Sequence, residues 1–324
     1  MSNGLESLSS HPSSIIEHRP MIFCEDLTKR FGAVTAVDQI SLSVGAGEIF
    51  GLVGPDGAGK TTTMRMLTAI MDPTSGKAWV NGLDVATDGE RLKDHIGYMS
   101  QRFGLYPDLT VMENIEFYAD LYGVPRQGRS EQMDRLLAFS NLAPFKRRRA
   151  GNLSGGMKQK LGLCCALIHT PKVLFLDEPT NGVDPVSRRD FWRILYQLLK
   201  EHVTIFVSTA YLDEAERCDK VGLMYKGKLI ASDTPDGMKR LVKGSLLEIR
   251  CGEARKAAEA VRSSGAGSVA LFGDRVHLLA PTIEKGRAQI ASALAKAGIV
   301  SADVRPIEPS LEDVFTSSLP GERQ

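Results

Sequence analysis

Residues 54 to 62 read GPDGAGKTT, a match to G-x-x-x-x-G-K-[ST] set between the apolar run IFGLV and the helix-forming run TTTMRMLTAI. The chemistry of such a loop is phosphate capture. Gly54, Gly57 and Gly59 let the amides available along Gly54, Pro55, Asp56, Gly57, Ala58 and Gly59 turn inward, where they and the helix N-terminus meet phosphate oxygens. Lys60 adds a cation, Thr61 a hydroxyl for Mg2+, and Thr62 continues the phosphate-facing turn. With each motif position restricted, a chance match in a chain of this length is on the order of one in a hundred.

A second apolar run, Lys172 to Leu176, leads into Asp177 and Glu178. A carboxylate at the C-terminal end of a buried parallel strand lies beside the phosphate loop, which the pattern puts on the neighbouring strand. Asp177 then holds the magnesium shell, and Glu178 is placed to polarise an attacking water. Acidic residues at strand ends are otherwise helix caps or solvated turns.

The elements that carry these residues are legible as alternation. From Met21 to about Tyr225, short apolar runs (IFGLVG, KVLFLD, VTIFVS, KVGLMY) alternate with helix-like stretches, the pattern of an α/β domain with a largely parallel, buried sheet. Between about Asp108 and Ala166 the alternation breaks into successive helical segments, predicting an inserted helical subdomain. Beyond turn signals at Thr234, Pro235 and Gly237, a region from about Gly244 reads strand, helix, strand, Gly273-Asp274 turn, strand, helix, strand. That βαββαβ order is ferredoxin-like. Its second helix places Ile283, Ile290, Leu294 and Ala297 on one face. The 324 residues predict about two domains. Lys and Arg number 40 against 39 Asp and Glu, so no basic surface recommends nucleic acid as a partner, and the short run KRRR at 146 to 149 reads as solvated. No apolar run approaches the 18 residues of a membrane span, and five cysteines without a CxxC pair read as reduced thiols.

Between the two phosphate-site motifs stands LSGGMKQK at 153 to 160, and with it the chain resembles the ATP-binding cassette (ABC) family. The resemblance implies an α/β P-loop NTPase cassette with a mixed sheet core and inserted helical subdomain, ATP with Mg2+ as ligands, and ATPase activity. Ser154, Gly155 and Gly156 form an anion site at a helix N-terminus, and in the family this loop completes the nucleotide site of a second cassette. Met157 stands where the family usually has Gln. By the same resemblance Phe31 stacks on adenine, Gln101 touches magnesium and leads into the helical subdomain, and Asp184 belongs to the loop that crosses to the opposite cassette. Glu178, Lys60 and Gln101 are then catalytic, and Thr61, Gln101 and Asp177 hold the metal.

One position departs from the family. Where His follows Ser-Thr, this chain has Ala210, in VSTAYLDEAE. Loss of one donor to a developing anion costs on the order of 3 kcal/mol, a hundredfold or more in rate. His202, eight residues earlier, lies roughly 25 Å away along an extended strand, and Tyr211 in an extended backbone points to the opposite face. Two accounts fit: a heterodimer, in which this chain lends its signature loop to a partner cassette and turns its own ATP over slowly, and a homodimer in which Glu178 suffices. The heterodimer is preferred because Lys60, Asp177 and Glu178 are kept.

The C-terminal phrase PSLEDVF at Pro309 to Phe315 and the stretch QRFGLYPDLTVMENIEFYADLYGV are similar to those of ABC-2 and drug-resistance exporters. The implied protein is the ATPase subunit of an export complex, cytoplasmic and peripheral on the inner face of the cell membrane, with separate transmembrane permease subunits. Soluble cassette ATPases acting on ribosomes or DNA, and a nearly non-hydrolytic nucleotide sensor, are the alternatives. The expected organisation is a disordered tail at 1–20, a cassette at 21–243 with its helical subdomain at about 102–166, an accessory domain at 244–316 and a tail at 317–324.

Overall fold

A computed structural model describes residues 20–102 and 104–318. Of the tails expected at 1–20 and 317–324, residues 1–19 and 319–324 lie outside the described residues.

The chain opens with an antiparallel sheet made of β1 (Ile22–Phe31), β2 (Val34–Val44), β4 (Ser75–Val80) and β5 (Leu83–Asp84), in the order β2-β1-β4-β5. The central sheet contains β3 (Ile49–Val53), β6 (Ile96–Met99), β7 (Val173–Asp177), β8 (Thr204–Thr209), β9 (Lys220–Tyr225) and β10 (Lys228–Asp233), in the order β10-β9-β3-β8-β7-β6. Only β10 runs antiparallel to its neighbour. This order corrects one expectation: the strand bearing Asp177 is not next to the phosphate-loop strand, because β8 lies between them. Chain order does not dictate spatial order here. The crossover that reaches β8 returns between two strands already laid down.

All residues of β3, β7 and β8 are buried, and their alternating side chains sort onto two faces. Phe50, Leu52, Phe175 and Phe206 join the core made with α1 (Lys60–Leu67) and the antiparallel sheet. Ile49, Val53, Leu174, Leu176, Ile205 and Val207 face the opposite core, made with the helices. Burial on both faces explains why these strands read as unbroken apolar runs.

The short α2 (Gly89–Lys93) precedes β6. The helical subdomain follows β6: α3 (Val111–Leu121), α4 (Arg129–Phe139) and α5 (Gly155–Leu167), with 3-10 turns before α5. A capping box starts α3, with Thr110 accepting from the Glu113 amide and Glu113 reaching back to the Thr110 amide. The helix α6 (Pro185–Lys200) connects β7 to β8, and α7 (Leu212–Ala215) follows β8. The turn expected at Thr234 is instead a helix start. Thr234 caps α8 (Pro235–Lys239), with Pro235 at the first helical position, where its missing N–H costs nothing.

The C-terminal unit contains β11 (Ser245–Arg250), α9 (Ala254–Ser263), β12 (Ser268–Phe272), β13 (Arg275–Ala280), α10 (Ile283–Lys296) and β14 (Asp303–Ile307). Its antiparallel sheet has the order β12-β13-β11-β14, and it holds a core of its own. The helix α10 packs through Gly286, Ile290, Ala293 and Leu294. Ile283, expected in that stripe, is 36% exposed at the first position of the helix. A side chain at Gly286 would meet Leu247 at 2.3 Å, so the helix lies close on β11.

The phrase PSLEDVF forms α11 (Leu311–Ser318), which extends two residues past the expected boundary at 316. Leu311 and Val314 are buried in the core between the central sheet and its helices, with Met238 and Ala215, and not in that of the C-terminal unit. Asp313 ties the same helix back to β13 by a 2.7 Å bond to His277 Nδ1. The helix therefore joins the two units. Leu311→Ala is expected to cost about 3 kcal/mol, read as a lowered urea midpoint; an unchanged midpoint would mean that α11 is not part of the cassette core.

Candidate functional site

The phosphate loop leaves β3 at Gly54, where a side chain would come within 2.1 Å of the Met224 carbonyl on β9. Only glycine lets the two backbones approach this closely. Gly59 has φ +108 and the Ala36 carbonyl 2.5 Å from the position of a Cβ, so both its conformation and its space demand glycine. Lys60 begins α1 and is buried, its ammonium donating to the carbonyls of Gly54 (2.7 Å) and Pro55 (3.1 Å) and pairing with Glu178 Oε1 at 3.1 Å. Thr61 and Thr62 are half-buried in the first turn beside it.

Asp177 closes the site from β7. Its Oδ1 accepts from Thr61 Oγ1 at 3.1 Å and from Ser208 Oγ at 2.6 Å, while Oδ2 is buried without a hydrogen-bond partner. A hydroxyl and a carboxylate with one buried, unclaimed oxygen form an oxygen donor set that fits a hard divalent cation such as Mg2+. Ser208 comes from β8, the intervening strand. Burial and the charge of Asp177 also push up the pKa of Tyr98, on β6.

Glu178 follows in left-handed conformation, φ +49, which turns its side chain out of the strand. Its amide is held by the Ser208 carbonyl and hydroxyl, and its Oε2 accepts from Gln101 (2.8 Å) and Asn181 (3.2 Å). Lys60, Gln101 and Asn181 thus converge on one carboxylate, which abuts a cavity of about 130 Å3 lined by Asp56, Asn181, Thr209, Ala210 and Tyr211. Ala210 and Tyr211 share this cavity, whereas an extended backbone would have parted them. The strand ends at Thr209 and the chain turns into α7, so alternation stops there. His202 sits at the other end of β8, in the turn after α6.

Three expected residues lie exposed at the surface. Phe31 ends β1 with its ring 48% exposed, on the hairpin turn into β2, which argues against a core role. Ser154 is an exposed N-cap of α5, accepting from the Met157 amide at 3.3 Å. Asp184 is an exposed N-cap of α6, where hydrogen bonds from Ser187 hold its carboxyl below the usual range. The two glycines after Ser154 differ. Gly155 has open space around it, with no atom nearer than 4.0 Å to the position of a Cβ, whereas a Cβ at Gly156 would lie 2.5 Å from that of Ser187 on α6.

The sequence reading did not single out Ser208, Thr180 or Asn181 as site residues. The apolar run VTIFV ending in Ser208-Thr209 is the one-dimensional signal that could have found the polar contact at Ser208. For Thr180 no such signal exists.

The ABC transporter family profile matches residues 37–181. A probable multidrug ABC transporter ATP-binding protein, YbhF of Escherichia coli (strain K12), is 45% identical over 219 residues, covering 68% of this chain. The chain spans 38% of that relative's length. The daunorubicin resistance ATP-binding protein DrrA2 of Streptomyces coeruleorubidus is 35% identical over 299 residues, covering 90% of this chain and 92% of the relative. Among solved structures, an ATP-binding subunit of an ABC transporter superposes with a TM-score of 0.62 at 28% identity, over 68% of this chain and 92% of that one.

The two signature glycines separate by experiment. Gly156→Ala is expected to destabilise the chain by about 1–3 kcal/mol through collision with Ser187, while Gly155→Ala stays within about 0.5 kcal/mol of the parent. Urea unfolding of both variants measures this; equal losses would show that the α5–α6 contact is not the reason for Gly156.

Proposed function

From the premise that this chain belongs to the ABC transporter family, we propose that it hydrolyses ATP as the ATP-binding subunit of an exporter. The observation that carries the reading is the junction of Lys60, Thr61, Asp177 and Glu178 at the C-terminal ends of the parallel strands, with one Asp177 oxygen buried and unclaimed. The loop amides from Gly54 to Gly59 and the first turn of α1, through Thr62, receive the phosphates, and Lys60 sets its charge against theirs. Thr61, Asp177 and Gln101 would hold Mg2+, which when bound offsets phosphate charge and polarises the bond to be broken. Glu178 accepts a proton from water as the water oxygen bonds to the terminal phosphorus and ADP leaves; the Gln101 and Asn181 amides hold the carboxylate in place for that step. The exposed ring of Phe31 supplies a stacking surface for adenine.

Ser154, Gly155 and Asp184 are exposed at the surface, which supports a role toward a second cassette. We favour a different cassette as that partner, since the methyl of Ala210 donates nothing to the terminal phosphate; a homodimer is the other arrangement. Transmembrane permease subunits complete the complex, with this chain on the cytoplasmic face of the membrane and no nucleic acid involved. No helix among the described residues is long and apolar enough to cross a membrane. The daunorubicin-resistance relative, matched over nearly its whole length, supports export of small molecules as the work performed. We further propose the division into a cassette at 21–243 and an accessory unit at 244–316, with α11 linking them.

Phosphate release from Mg2+ and ATP by the purified chain tests the reading. Glu178→Gln is expected to lower turnover at least about 100-fold with nucleotide binding kept, and Ala210→His to raise it about 100-fold where the missing donor is limiting. Brisk turnover unimproved by Ala210→His would refute the heterodimer, and absence of ATP binding would refute the function.

A further inference from the structure

Two buried threonines stand on the two loops that frame the cavity beside Glu178. Thr180 lies in the turn between β7 and α6, two residues after Glu178, and Thr209 ends β8 immediately before Ala210; they are 2% and 1% exposed. Both donate to one carboxylate, that of Glu214 on α7: Thr180 Oγ1 to Oε1 at 2.5 Å and Thr209 Oγ1 to Oε2 at 2.9 Å. Glu214 is itself 0% exposed. Its charge is met by Arg188 of α6, whose Nε stands 3.4 Å from Oε1 and whose guanidinium lies over the Tyr211 ring at 4.4 Å. Thr209 Oγ1 also accepts from the Tyr211 amide at 3.0 Å.

A carboxylate is withdrawn from water at a cost that two hydroxyl donors and a guanidinium must offset, and an apolar residue would fill the same space without it. What the carboxylate does that a leucine cannot is hold two loops at once. We propose that Glu214 is a positioning residue for catalysis: it fixes the Glu178–Asn181 turn against the Thr209–Tyr211 segment and so sets the width of the cavity in which water meets the terminal phosphate. At Ala210 no side chain spans that cavity, so its shape is held from behind, through Thr180 and Thr209. The inference rests on the ATPase reading above.

The test uses the full chain carrying Thr180→Val or Thr209→Val, shape-conserving changes that each delete one hydroxyl, together with Glu214→Gln. Thr180→Ser and Thr209→Ser, which keep the hydroxyl, serve as rescue. In the valine variants, single-turnover hydrolysis is expected to slow about tenfold while affinity for a fluorescent ATP analogue with Mg2+ stays within about twofold, and the Asn181 and Val183 amides to exchange about tenfold faster. The serine variants are expected to match the parent in all three measurements. Unchanged exchange would overturn the tie between the loops. Faster exchange with hydrolysis unchanged would overturn its catalytic role. A parent chain that binds the analogue and never turns it over would instead overturn the ATPase reading, and the exchange data would still decide whether Glu214 holds the loops.

Discussion

The structure turns on Asp177, the carboxylate at which three segments distant in sequence meet. It receives Thr61 from the helix that follows β3 and Ser208 from β8, and it ends β7. Buried and charged, it is tolerable only where donors surround it. Those donors arrive only when β3, β8 and β7 lie in the observed order with their C-terminal ends level. The pairing of Asp177 with Ser208 and of Val53 with Thr209 records that levelling. The phosphate loop, Glu178 and the cavity beside Ala210 all issue from this one edge.

The rest of the fold serves to hold that edge rigid. Each face of the central sheet is covered, one by α1 and the antiparallel sheet, the other by α5, α6 and the helices around them. Covered faces leave the strand ends as the place where polar side chains can collect, the usual location of ligand sites in open α/β sheets. The C-terminal unit does not stand apart from this scaffold. Through α11 it buries Leu311 and Val314 in the cassette core beside Ala215, one residue from Glu214. The accessory unit is thereby packed against the helix that follows the cavity.

Close packing also gives neighbouring residues different reasons to be what they are. Gly155 and Gly156 look alike in the signature phrase. Yet one faces open space and the other admits α6. In the phosphate loop, Gly54 and Gly59 are demanded by contact with β9 and β2 as much as by any phosphate. A motif thus records packing and chemistry together, and single residues within it separate only when their surroundings are known.

The phosphate loop, the strand ending in Asp177 and Glu178, the helical insertion and the βαββαβ order of the C-terminal unit were all determined by the sequence alone, because each is a pattern of near neighbours: periodicity, a capped helix start, a strand running into a turn. Four features were decided only by tertiary structure: the insertion of β8 between β3 and β7, the convergence of Gln101 and Asn181 on Glu178, the burial of Glu214 between Thr180 and Thr209, and the docking of α11 on the cassette. Strand order follows from where crossovers find room on a sheet, and buried polar contacts join segments tens of residues apart. Neither leaves a mark on local spacing. For the same reason Ile283 fits the apolar stripe of α10 and is nonetheless exposed, since a stripe specifies a face of the helix and the partner specifies how far that face is covered.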